Sequence, residues 1–362
     1  MIKFADSIPL DDPIAYINGI VDNYWNILNP KKVNQELKKN SLCQRAESLL
    51  SEYKKNKYLN TAALGSSSRN KRHIDFLEYL VENNFDNLKR IVKAKPNEFH
   101  SIIGEAFNII NISDLTELVN GKVKSASLGH VLLKKVFFYD SFRSSDACVK
   151  FYKELGLEGK YCFYCNDSEL SVISTEKPSK SNGFRSKNGK LLFDLDHFYL
   201  KSNYPFLALS FYNLIPCCGL CNSRFRGTKN FNVNTHINPY LDSFDENYIF
   251  KFDKYELATS FRIGCSELTK VEVNLKNHSI RINDKTAGDL QIMERYRTKV
   301  SHLNDILDTI IKYSHAPEEE LYDLIYGVNE QHVPKSRKSI LDVRRAKFSL
   351  DFLDVAFPLL ED

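Results

Sequence analysis

The sequence predicts an α+β protein, mainly helical with a small cysteine-clipped centre, and three observations carry that expectation. Apolar residues recur at helical spacing through the first 155 residues and again from Gly288 onward. Between them, short alternating runs such as Tyr248–Phe252 and Val271–Leu275 have the period of strands. Two C-x-x-C pairs, Cys162/Cys165 and Cys218/Cys221, bracket the middle of the chain. The expected organisation is a helical lobe over residues 1–155, a stapled module over 156–240, and a small β region followed by helices over 241–362.

Composition bounds the rest. At 362 residues, 43% hydrophobic and 27% charged, the chain can bury a substantial core. A net charge of only +4 gives no global field that would select a polyanion partner, so any such partner must be met by local basic clusters. Five of the eight cysteines crowd the two knuckles and the start MIKFADSIPL has no apolar run, so neither a disulfide scaffold nor a secretory signal fits. A reducing cytoplasm is the expected location. The longest apolar run, Pro205–Leu220, is interrupted by Ser210, Asn213 and Pro216 and is too short for a bilayer, so no membrane segment is expected.

In the first lobe, Ile14, Ile17, Val21 and Trp25 mark one helix, Leu49, Leu50 and Tyr53 a second, and Phe76, Leu77, Leu80 and Val81 a third. Breaks fall at Asn29-Pro30, Gly65–Asn70, Lys95-Pro96 and near Gly121 and Gly129. The basic runs Lys31-Lys32, Lys38-Lys39, Lys54–Lys57 and Arg69–Arg72 either touch phosphate or are solvated helix faces. Ser144-Ser145-Asp146 starts a helix that puts Cys148, Val149, Phe151, Tyr152 and Leu155 on one face, and Gly156 and Gly159 stop it.

That helix delivers the chain to the first knuckle. Asp167–Lys190 is a polar excursion, after which Leu191–Phe198 reads as a short strand ending in Asp196 and His197. Beyond Tyr240, runs at 248–252, 261–264, 271–275 and 280–282 predict a small antiparallel sheet. Helical spacing then returns through 290–311, 321–325 and 340–353. The last stretch carries the densest basic cluster, Lys335, Arg337, Lys338, Arg344, Arg345 and Lys347. It would grip either nucleic acid or an acidic protein surface.

Two knuckles separated by one folded segment are what a tetrahedral four-thiolate zinc site needs, because each short turn aims two sulfurs at one point. Cys162, Cys165, Cys218 and Cys221 are therefore expected to hold a structural Zn²⁺ with no open position. Cys217 competes with Cys218 for register, but only Cys218 leaves two residues before Cys221. Between the knuckles lie Asp196, His197 and Asn213, with Asn222 directly after the second. Phosphodiester hydrolysis needs a base for water and a cation for the phosphate, and a histidine with a carboxylate-bound ion supplies both. In this reading His197 is the base, Asn213 holds its imidazole, and Asp196 and Asn222 give oxygens to the ion.

The order Cys162-x-x-Cys165, Leu195-Asp196-His197-Phe198-Tyr199, Asn213-Leu214-Ile215-Pro216, Cys218-x-x-Cys221-Asn222 resembles the HNH endonucleases, the zinc-clipped branch of the ββα-metal nucleases. The resemblance covers roughly Tyr161 to Tyr240. It implies a ββα-metal module at the centre of the α+β chain, with His197 as general base, Asn213 as the middle residue, Asn222 at the third, metal-binding position and Asp196 as companion ligand. The third position is histidine in the motif that names the family. Asparagine here shades the preference towards Mg²⁺ or Mn²⁺. Leu200 stands where a proline often follows.

What the resemblance implies is an HNH endonuclease making 5′-phosphate and 3′-hydroxyl ends, with DNA favoured over RNA. Arg224, Arg226, Lys229 and Lys201, with Tyr204 nearby, are the expected phosphate contacts. His236, in HINPY, is a spare ligand or phosphate contact, or else a satisfied turn histidine. The flanks resemble HNH proteins encoded beside ATPases in bacterial anti-phage systems of the Septu and retron-associated type, which implies an ATPase partner. An RNase on the same site and an inactive zinc-stabilised nucleic-acid or partner-binding subunit are the competing readings.

Overall fold

The computed structural model describes residues 1–55, 67–119, 122–125, 127–174, 189–264, 268, 270–317, 320–321, 323–327 and 333–359. Helices α1 (Pro13–Leu28), α2 (Leu42–Lys54), α3 (Ser67–Lys93) and α4 (Phe99–Ile109) build the first lobe. Local chemistry sets their starts: Asp12 accepts from the Ala15 amide at 2.8 Å, and Ser41 accepts from that of Gln44 at 3.2 Å. α3 breaks at Glu82–Phe85, where Asn83, Asn84 and Phe85 have left-handed backbone.

An antiparallel hairpin follows, β1 (Thr116–Val119) with β2 (Lys122–Ser125), inside the lobe expected to be all helical. Asn120-Gly121, between two alternating runs, is a strong hairpin signal that outweighs Gly121 as a mere helix break. Beside it, Arg69 and Arg72 donate to the buried Asp114 carboxylate at 3.0 and 2.8 Å, so these two cations of the Arg69–Arg72 run are committed within the lobe.

The helix Asp146–Glu154 starts as expected, its Ser145 cap accepting from the Cys148 amide, and buries Cys148, Val149, Phe151 and Tyr152. Gly156 and Gly159, at φ +73° and +81°, turn the chain into the first knuckle. Two hairpins then form the centre: β3 (Val172–Ser174) with β4 (Gly189–Leu191), and β5 (Asp194–His197) with β6 (Leu214–Cys217). A π-helical turn, Leu220–Arg226, follows β6.

In the last third, β7 (Tyr248–Phe252) pairs antiparallel with β8 (Val271–Leu275), as the alternation predicts. The other two runs are not strands. Phe261–Ile263 closes the helix Lys254–Ile263, which Gly264 caps in left-handed conformation, and Ile280 and Ile282 are exposed. Helices Ile292–Arg297, Ser301–Lys312 and Ala346–Ala356 complete the chain. The α+β expectation holds as a mainly helical protein with small two-stranded antiparallel sheets. No described helix is long and apolar enough to cross a membrane.

A single apolar core draws on all three expected segments. Tyr24 of α1 packs against Phe142, Phe151 and Phe211 at 5.5, 5.1 and 5.7 Å, joining the first lobe to the segment that leads into β6. Tyr296, Phe250 and Phe348 form a second ring cluster, with centroids 4.7 to 5.0 Å apart, which fastens β7 to the last helix.

Candidate functional site

The four expected cysteines meet. The sulfurs of Cys162, Cys165, Cys218 and Cys221 lie within 4.8 Å of one another, all in buried residues. Cys165 Sγ and Cys218 Sγ are 3.8 Å apart. A tetrahedron with metal–sulfur legs of about 2.3 Å has edges of about 3.8 Å, so the cluster has the dimensions of a four-thiolate metal site. Backbone amides support it: the Cys218 N–H donates to Cys162 Sγ at 3.3 Å and the Cys221 N–H to Cys218 Sγ at 3.5 Å. Cys217 is not a member. It is the last residue of β6, paired with Asp194, and its side chain is buried away from the cluster.

The hairpin β5–β6 carries the candidate base. His197 sits opposite Leu214 and is only 8% exposed. Its Nε2 lies 3.1 Å from the Ala208 carbonyl oxygen, which fixes the proton on Nε2, and Nδ1 has no hydrogen-bond partner among the described residues. Nor is Nδ1 among the fully buried unpaired atoms. The Tyr139 ring packs edge-on at 4.3 Å. Burial, with a smaller push from the Lys201 charge, lowers the imidazole pKa to about 3, so the ring is neutral at physiological pH.

Three expected contacts are different. Asn213 does not hold the imidazole. Its Oδ1 accepts from the Tyr199 amide at 2.7 Å, and its Nδ2 donates to the Tyr199 and Leu207 carbonyls, both at 3.0 Å. It ties down the loop joining β5 to β6, and so acts on His197 only through the backbone. Asp196 is not paired with Asn222: Tyr164 Oη donates to its Oδ2 at 2.8 Å, and Arg226 Nε lies 3.3 Å from Oδ1. Burial raises the Asp196 pKa, and Arg226 and Tyr164 pull against it. Asn222 instead donates to Asp194 Oδ2 at 3.0 Å.

Asp194 is the carboxylate that the sequence reading passed over. Strand alternation puts Asp194 and Asp196 on one side of β5 and His197 on the other, a signal present in Asp194-Leu195-Asp196-His197. Among the described residues, no second set of three or more cysteine, histidine or carboxylate ligands converges. A cleft of about 770 Å³ opens at Asp194, and Arg143 and Lys190 are among its lining residues.

The expected phosphate contacts separate into free and committed cations. Arg224 is exposed with no partner among the described residues. Lys201 donates to Asp140 at 2.9 Å and lies 4.6 Å from the centre of the Tyr139 ring, beside His197. Arg226 is 3% exposed and spends its guanidinium on the carbonyls of His197, Phe198 and Gly227, so it is a buried brace and not a surface contact. Lys229 donates to the Asp289 carbonyl, and Tyr204 packs on Tyr199. His236 is the satisfied turn histidine: its ring nitrogens contact Thr235 and Asp289, each at 2.9 Å, and it stacks on Phe231 at 3.8 Å.

The C-terminal basic cluster is likewise largely internal. Lys347 is fully buried between Asp245 and Asp351, Arg337 binds Asp245, Asp351 and Asp354, and Arg344 and Arg345 both donate to Asp167. Only Lys335 and Lys338 of the six are exposed without an ion pair among the described residues. Compared with family models, curated proteins and solved structures, the chain matches none.

Proposed function

We propose that the protein is a metal-dependent endonuclease of the HNH kind, hydrolysing phosphodiester bonds of nucleic acid, with DNA favoured. The observation that carries this reading is His197, whose Nε2 is held by a backbone carbonyl while Nδ1 keeps an open lone pair. In this reaction Nδ1 takes a proton from water as the hydroxide oxygen bonds to phosphorus. The bond from phosphorus to the 3′ oxygen breaks, leaving a 5′-phosphate and, after protonation, a 3′-hydroxyl.

A divalent ion, when bound, supplies charge for the phosphate and the leaving oxygen. Mg²⁺ and Mn²⁺ take one or two carboxylates and retain waters; Asp194 and Asn222 would offer oxygens, and Asp196 would join them by giving up Tyr164 or Arg226. The thiolate cluster suits Zn²⁺ in a structural role, since four thiolates leave no place for substrate. Lys190 and Arg224 are the exposed cations that support a phosphate backbone, while Arg143 lines the cleft with its Nη2 donating to the Leu191 and Phe193 carbonyls.

The catalytic groups of this scheme address phosphate and not the sugar, which keeps RNA as the second substrate. A silent binding subunit is the alternative that one observation favours, namely the occupation of both Asp196 oxygens by Tyr164 and Arg226. The same reading makes the chain the nuclease of an anti-phage system with an ATPase partner, which co-purification tests.

The direct test uses labelled plasmid, single-stranded DNA and RNA with Mg²⁺, Mn²⁺ or EDTA. Ion-dependent cleavage of DNA that leaves 5′-phosphate ends is expected. Cleavage of RNA alone would move the assignment to the RNase, and cleavage in EDTA would remove the ion from it.

A further inference from the structure

The first knuckle does more than present two thiols. Directly after Cys165, Asn166 is fully buried in left-handed backbone at φ +53°, a conformation that asparagine tolerates better than most residues. Its Nδ2 donates to the Ile340 and Val343 carbonyls at 2.6 and 3.1 Å, and its own carbonyl accepts from the Arg345 amide at 2.6 Å. Tyr161 N–H donates to the Leu341 carbonyl at 2.8 Å, and Tyr296 Oη donates to the Cys165 carbonyl at 2.6 Å. The knuckle turn is thus hydrogen-bonded from both ends to segments more than 130 residues away in sequence.

The second knuckle is reached from the same region. Arg295 Nη1 donates to Cys221 Sγ at 3.2 Å, and its guanidinium lies 4.5 Å from the centre of the Phe225 ring. Four thiolates around a divalent ion carry two net negative charges in a buried place, and a guanidinium hydrogen-bonded to sulfur offsets part of them. No other side-chain cation donates to these sulfurs among the described residues.

We infer that the thiolate centre is the clasp of the C-terminal region: metal fixes the Cys162–Cys165 turn, the turn aims Asn166 at Ile340–Arg345, and Arg295 seals the centre as a positioning residue. This rests on reading the four cysteines as a zinc site. It assigns the metal a structural reach beyond the central module, because Asn166 accepts from the Arg345 and Lys347 amides at the start of the helix Ala346–Ala356.

Hydrogen exchange of the full chain, with and without a zinc chelator, tests it alongside the rate of zinc transfer to the chelator. Removal of zinc is expected to speed exchange across Ile340–Lys347 by about ten-fold or more while α1 and α2 stay protected. Arg295→Gln is expected to release zinc about ten-fold faster than wild type, with Arg295→Lys in between. Asn166→Gly, which keeps the backbone conformation available, is expected to retain zinc yet exchange fast across Ile340–Lys347 before any chelation.

Unchanged exchange at Ile340–Lys347 after verified zinc loss overturns the inference, as does a uniform rise that includes α1. Wild-type release rates in Arg295→Gln overturn the role of that residue. A wild-type chain that binds no zinc overturns the metal reading itself, and the inference with it.

Discussion

Asn213 makes three hydrogen bonds to the backbone at Tyr199 and Leu207, and it is fully buried. Asn213→Ala strands these groups in a dry interior, where each unpaired polar group costs about 1–3 kcal/mol. The expected outcome is a loss of about 2–4 kcal/mol in urea unfolding, together with weakened cleavage because the loop that carries Ala208 loosens. A variant as stable as wild type would show that the loop is held by other means. The sequence singles this residue out by its spacing, but it misassigns the partner. Which atom an asparagine reaches depends on the path of the loop from Phe198 to Tyr212, and no local pattern encodes that path. Arg226 fails for the same reason: it reads as a surface cation, and only the folded hairpin reveals the carbonyls of His197 and Phe198 beneath it.

At the scale of the element, β6 decides which cysteines reach the four-sulfur cluster. The strand keeps Cys217 in register with Asp194, and the chain leaves the strand at Cys218, freeing that thiol to turn towards the first knuckle. Cys218→Ser is therefore expected to lose zinc, and Cys217→Ser to retain a full complement, as measured by metal content of the purified chain. Equal loss in both would place Cys217 in the centre. The C-x-x-C spacing made this choice legible from sequence. It could not disclose Arg295, which comes from a helix 74 residues further along.

The first lobe shows the limit of periodicity. The pairing of Thr116–Val119 with Lys122–Ser125 was signalled by the Asn-Gly pair in the sequence between them, whereas the ion cluster on Asp114 unites α3 with residues some 42 positions later. Burial pushes that carboxyl up, but hydrogen bonds from Arg72, the Asn111 amide and Arg69 pull it down to about 2. A depressed carboxylate stabilises the fold above its unfolded pKa, near 3.8, and the contribution is lost as pH falls towards 2. Acid titration of wild type against Asp114→Asn is expected to show a wild-type advantage of at most about 2 kcal/mol at pH 6 that shrinks below pH 4. An advantage independent of pH would assign Asp114 a role other than its charge.

Among the described residues, internal ion pairs take up most of the C-terminal basic cluster, whereas Lys31, Lys38, Lys39, Lys190 and Arg224 stay exposed without an ion pair. Net charge was a fair guide here, because most of the C-terminal cluster is neutralised by Asp167, Asp245, Asp351 and Asp354. The helical character, the β7–β8 pair and the four-cysteine cluster were legible because they follow from periodicity and short-range spacing. The joining of distant segments through Tyr24, Asn166 and Lys347 was not, since those contacts depend on how the elements pack.

In the proposed nuclease, His197 is the base of a hydrolytic site that is distinct from the four-cysteine cluster. Cleavage of labelled DNA in Mg²⁺ or Mn²⁺ by wild type and His197→Ala, with zinc content measured on the same samples, tests it most directly. A loss of at least about 10²-fold in the variant, with zinc unchanged, is expected. Equal cleavage by both proteins, at equal zinc content, would contradict it.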